Sequence, residues 1–133
     1  MFRKRRRIFD NEVFHYNGIQ LDIVDEFCYL GTVFSFNGSF SKHTQHIVGK
    51  ALKALNTLMF NWSKCEVKPS ITCQSFDSFV GAVLGYGSEI WGYNKYKNIE
   101  TVHLKFCKQL LNVRRSTASV GVYGELGRAI HSM

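Results

Sequence analysis

The hydrophobic period of this chain changes once, near Ser41, and that change limits what the chain can fold into. Ahead of Ser41 apolar residues alternate, as along strands whose successive side chains point to opposite faces. Beyond it they recur every three or four residues, as along helices buried on one side. The expected fold class is α+β, a small antiparallel β-hairpin unit followed by a three- to four-helix body. The change of period divides the chain into a segment 1–38 and a segment 39–133, read together as one folding unit.

In the first segment, "EVFHY" and "IQLDIV" flank Asn17-Gly18, a pair suited to a type I′ turn because both of its central residues need positive φ. A second hairpin is expected through Asp25-Glu26. After it, "FCYLGTVFS" reads as one strand rich in aromatic and β-branched residues, closed by Asn37-Gly38. The leading "FRKRRRIF" is either extended or a frayed tail.

In the second segment, Ile47, Ala51, Ala54, Leu55, Leu58 and Trp62 recur at helical spacing with Lys50 and Lys53 on the other side. This predicts an amphipathic helix from 41 to about 63. Pro69 suits the first turn of a second helix carried by Phe76, Phe79, Val80, Val83, Leu84, Ile90 and Trp91, either continuous or broken at "GYGS". Asn98 is the predicted N-cap of a third helix, with Ile99, Val102, His103, Phe106, Leu110 and Val113 on its apolar face. A short fourth helix is expected from 120 to 126, ended by Gly127.

With 133 residues, 45% hydrophobic and 20% charged, the chain has apolar material for one core and lacks the composition of a disordered protein. Its net charge of +7 points to a nucleic-acid or other acidic partner. That charge is concentrated: outside Arg3, Lys4, Arg5, Arg6 and Arg7, 12 basic side chains face 10 acidic ones. Such a run either neutralises phosphates by releasing their counterions or forms a solvated, import-like tail. The four cysteines show no CxxC spacing and lie in or beside apolar segments, as reduced thiols of an intracellular protein do. No apolar signal core follows the basic run, and the apolar stretch 79–84 is far short of the roughly 20 residues of a membrane span. No membrane partner is expected.

Few residues form a recognisable chemical constellation. His43 and His46 stand three apart on the first predicted helix, but no nearby Cys, Asp or Glu completes a zinc shell, and the pair reads as a solvated helix start. No Ser, Cys or His sits in a nucleophile signature, and no glycine-rich loop carries the Lys-Ser/Thr of a phosphate cradle. Asp25-Glu26 falls at a predicted turn, where exposed carboxylates are ordinary.

The order of segments carries more. "FRKRRRIFDNEVFHYNGIQLDIVDEFCYLGTVFSFNGSF", "VGAVLGYGSEIWGY" and "VHLKFCKQLLNVRRSTASVGVYGELGR" resemble successive parts of the reverse transcriptases of non-LTR retrotransposons. Those parts are the end of the palm with its following hairpins, then the helical thumb and the stretch just beyond it. The likeness runs from about residue 2 to residue 128. It implies hairpins that position a primer end, with Tyr29, Leu30 and Gly31 at the matching positions. Gly31 would admit a phosphate close to the backbone, and Tyr29 would offer a flat ring and a hydroxyl. The alternative is that Tyr29 and Leu30 pack the sheet onto the first helix. Lys42, Lys50 and Lys53 are either phosphate contacts along that helix or its ordinary solvent face.

The family holds its magnesium ions on paired carboxylates of the palm, notably an aromatic-x-Asp-Asp turn. No Asp-Asp pair occurs here, so the resemblance implies a truncated piece, its palm upstream of Met1, with no catalysis and no cofactor of its own. The expected partner is nucleic acid, an RNA or an RNA/DNA hybrid, bound weakly and with salt sensitivity in an intracellular, nuclear setting. The rival expectation is a structural or interaction protein. Loss of the palm uncovers surface that the whole enzyme buries, and apolar helix faces then drive self-association or hold a partner.

Overall fold

The structure is a computed structural model that describes residues 13–127. The "FRKRRRIF" segment, and with it Arg3, Lys4, Arg5, Arg6 and Arg7, lies outside the described residues. Backbone contacts divide the chain into two compact units, Met1–His43 and Thr44–Met133. The arrangement is α+β, two small antiparallel hairpins followed by helices.

In the first unit, Asn17 and Gly18 take φ of 49° and 79°, the two positive values of a type I′ turn. They join β1 (Phe14–Tyr16) to β2 (Ile19–Leu21), with Tyr16 opposite Ile19. The second hairpin departs from expectation. Its turn is Leu30-Gly31, with φ of 46° and 79°, so "FCYLGTVFS" is β3 (Glu26–Tyr29) folding back on β4 (Thr32–Ser35). Asp25 is only a bend before β3, and its carbonyl accepts the Phe36 N–H at 2.9 Å. Leucine seldom takes a left-handed backbone, so the Leu-Gly pair does not announce a turn. The fold-back sets Phe27 opposite Phe34, a cross-strand aromatic pair that a straight strand lacks.

Helix α1 (Ser41–Trp62) begins in the first unit, and His43 in its first turn is fully buried. That corrects the solvated reading for His43, while His46 is exposed as expected. The His43 Nδ1 accepts the Val33 N–H at 3.1 Å, while Phe40 meets Phe34 and His43 edge-on at 5.9 and 6.3 Å. Histidine spacing along a helix carries no sign of this, because the partner is a strand edge ten residues earlier. The imidazole satisfies a backbone donor on that edge which would otherwise invite a further strand.

In the second unit α1 buries Ile47, Ala51 and Leu55, the face its spacing predicts. Pro69 opens α2 (Pro69–Ser75), which runs on through a π-helical stretch (Phe76–Gly81) into α3 (Ala82–Leu84). The wide stretch has a cause in the sequence. Thr72, Phe76, Val80 and Leu84 are all buried at four-residue spacing, whereas an α-helix drifts by about 40° over each such step. Widening a turn brings them back to one face. The chain breaks at Gly87, φ 68°, before α4 (Ser88–Trp91).

Helix α5 (Lys97–Leu110) has Tyr96, not Asn98, at its N-cap. The Asn98 amide instead donates to the Thr44 hydroxyl at 3.2 Å, tying α5 to α1. Helix α6 (Ser119–Glu125) closes the described chain. Among the described residues no helix is long and apolar enough to cross a membrane.

A column of rings holds this unit. Phe76 and Phe106 stack with centroids 4.0 Å apart and planes 11° apart, and Trp62 approaches Phe106 at 6.4 Å. His103 lies 5.6 Å from Phe76 and stacks on Tyr123 at 5.4 Å. Phe106 is completely buried, and Phe106→Ala is expected to cost about 3–5 kcal/mol, read as a lower midpoint in urea denaturation of the chain.

The buried Tyr123 hydroxyl has no hydrogen-bond partner among the described residues. Burial first, then the charges of Glu100 and Cys107, push its pKa above the ordinary 10.0. The folded state therefore favours the neutral phenol. Its contribution is complete below pH 10 and is lost as pH rises through the raised folded value. Tyr123→Phe should flatten that alkaline loss in a pH series of thermal unfolding. At neutral pH the variant should match the parent or gain about 1 kcal/mol, since an unsatisfied hydroxyl is removed.

Candidate nucleic-acid interface

Phosphate binding needs cations that are accessible, unneutralised and gathered from neighbouring elements. The charge of the described residues is unevenly placed. Residues 13–43 hold one basic side chain, Lys42, against Asp22, Asp25 and Glu26. Lys42 is ion-paired with Glu26, so it meets a carboxylate where a phosphate was expected. Residues 44–127 hold ten basic side chains against five acidic ones.

Helical geometry sorts those ten. At 3.6 residues per turn, Lys50 and Lys53 share an exposed stripe of α1 with His46 and Thr57. The same arithmetic sets Lys97, Thr101, Lys105 and Lys108 on one stripe of α5, opposite Phe106, with Glu100 about 60° beyond its Lys97 edge. One lysine contact joins the two helices, and a second joins α5 to the loop after it. Lys105 Nζ donates to Asn56 Oδ1 at 3.5 Å, bringing α5 beside the polar face of α1. Lys108 Nζ donates to the Arg115 carbonyl at 2.6 Å, holding the Arg114-Arg115 loop at the same end. Lys105 thus lies beside α1 and Lys108 beside Arg115, and Lys50, Lys53, Lys105, Lys108, Arg114 and Arg115 are the cations that these two stripes and the adjoining loop carry.

The hairpin residues are differently placed. Tyr29 and Leu30 are 58% and 73% exposed. Tyr29 stacks on Phe27 at 6.3 Å with planes 18° apart, and Phe27 is itself half exposed. Gly31 is required by its own φ of 79° in the turn. The tip offers flat rings without positive charge. Among the described residues no group of three or more His, Cys, Asp or Glu is placed to hold a metal ion.

Lys50 and Lys53 thus share one stripe of α1, Lys42 is paired with an acid, and Tyr29, Leu30 and Gly31 sit on the second hairpin, which carries no basic residue. Lys105, Lys108, Arg114 and Arg115 were missed. The period that marked the apolar face of α5 also placed its lysines opposite, but which helix adjoins that stripe is a tertiary fact. No protein-family model, curated protein or solved structure matches this chain.

Leu30 carries a left-handed backbone that asparagine adopts more readily. Leu30→Asn is expected to stabilise the second hairpin by about 1 kcal/mol. Amide hydrogen exchange of β3 and β4 reads the gain; unchanged protection would mean that Leu30 is unstrained.

Proposed function

We propose that this chain is a non-catalytic piece of a non-LTR retrotransposon reverse transcriptase, and that it binds RNA or an RNA/DNA hybrid through a basic patch on α1 and α5. The segment order supports the lineage. The observation that carries the binding is the contact of Lys105 with Asn56, which sets the two lysine-bearing helices side by side. Cations spaced along adjacent helices match a phosphate backbone, and each phosphate neutralised releases condensed counterions. The chain lacks any Asp-Asp pair to hold two magnesium ions, so binding proceeds without polymerisation.

The test is the salt dependence of hybrid binding by fluorescence anisotropy. Replacing Lys50, Lys53 and Lys105 by Gln is expected to lower the slope of log affinity against log salt by about 2 to 3. Replacing Lys64, Lys68 and Lys95, which lie off the patch, removes the same charge and should change the slope by less than about 1. Equal effects of the two triple variants would replace the patch with a diffuse charge effect.

One further observation favours a second reading. Phe79, Tyr86, Ile90 and Tyr93 are exposed, Tyr93 at 88%. An interaction protein would use such residues, and oligomers insensitive to salt, without hybrid binding, would support it over the first.

A further inference from the structure

The second unit contains a cavity of about 500 Å³, bounded by the π-helical stretch, α4 and the start of α5. Its volume falls in the range of small-molecule sites. Neither the ring column nor the basic patch accounts for it. Phe76, Trp91 and Tyr96 bring aromatic rings to it from three separate segments, and the lining is mainly apolar.

The charged groups around it are unequal. Lys95, Lys97 and Asp77 have exposed side chains, whose fields water and salt screen. Glu100 is half-buried and has no hydrogen bond or ion pair with the described residues. A part-enclosed carboxylate without a partner, set among aromatic rings, selects a particular chemistry. A neutral hydrocarbon would leave the carboxylate desolvated and unpaired, and an anion would be repelled. A compact metal or ammonium ion sheds its water at high cost. A cation whose charge is spread over alkyl groups loses little hydration and is attracted both by the carboxylate and by ring faces.

We propose that this cavity binds a small organic cation, an alkylated ammonium bearing a ring, with Glu100 as its counter-charge and Phe76, Trp91 and Tyr96 as its walls. The site is independent of the nucleic-acid patch.

The experiment titrates the full chain with benzyltrimethylammonium, read by calorimetry and by tryptophan emission in a Trp62→Phe background that leaves Trp91 alone, against benzenesulfonate as an anion of similar size. The cation is expected to bind at least about tenfold more tightly than the sulfonate, and Glu100→Gln to weaken cation binding about tenfold. Asp77→Asn, at a screened position, should change it by less than about threefold. Equal or tighter sulfonate binding, an unchanged Glu100→Gln, or no cation binding at millimolar concentrations would overturn the proposal. Hybrid binding measured on the same Glu100→Gln protein is expected at the parent level, so the two proposals fail separately.

Discussion

The stacking of Phe76 on Phe106 is the contact on which the second unit depends. Phe76 opens a wide helical stretch and Phe106 sits near the end of α5, so their parallel rings at 4.0 Å fix two helices that have few other reasons to meet at that depth. Trp62 from α1 and, through His103, Tyr123 from α6 then join the same column. Aromatic burial supplies much of the apolar area such a small body removes from water. The π-helical turn follows from this demand. Without it, Thr72, Phe76, Val80 and Leu84 would spiral away from α5, and Phe76 would not face Phe106.

Among its described residues the first unit has smaller aromatic contacts, Phe27 with Tyr29 and Phe40 with Phe34 and His43. Its hairpins expose Val13, Tyr16, Ile19, Phe27 and Tyr29, and an isolated two-stranded hairpin is marginal in water. What organises β4 is a single imidazole. By accepting the Val33 N–H, His43 ends strand addition on one edge and fixes where α1 starts, so one side chain does two structural jobs. The price is a polar ring in a fully buried place, tolerable because its Nδ1 is hydrogen-bonded and Phe40 covers it edge-on.

Where periodicity is the cause of structure, the fold was legible. The buried stripe of α1, the first-turn proline of α2 and the Asn-Gly turn all stand where local rules put them. What escaped depended on partners distant in sequence. Leu30 turns because Phe27 finds Phe34; Asn98 leaves its capping role because Thr44 is within reach; His43 is buried because a strand edge needs an acceptor. The candidate surface shows the same limit. Each lysine stripe can be drawn on a helical wheel, yet the Lys105–Asn56 contact that sets α5 beside α1 cannot.

Helix α5 shows how a short element can serve several ends. Val102, Phe106 and Cys107 face the core, Lys105 reaches the polar side of α1, Lys108 reaches the Arg115 carbonyl, and Glu100 and His103 line the cavity. Three faces of 14 residues thus carry stability, positive charge and an unpaired carboxylate. These are electrostatically opposed, and their separation around the helix matters. With Glu100 on the lysine stripe, the patch would lose a charge and the carboxylate its enclosure. The angular placement of one acid relative to three lysines therefore decides whether α5 offers one neutralised surface or two surfaces of opposite preference.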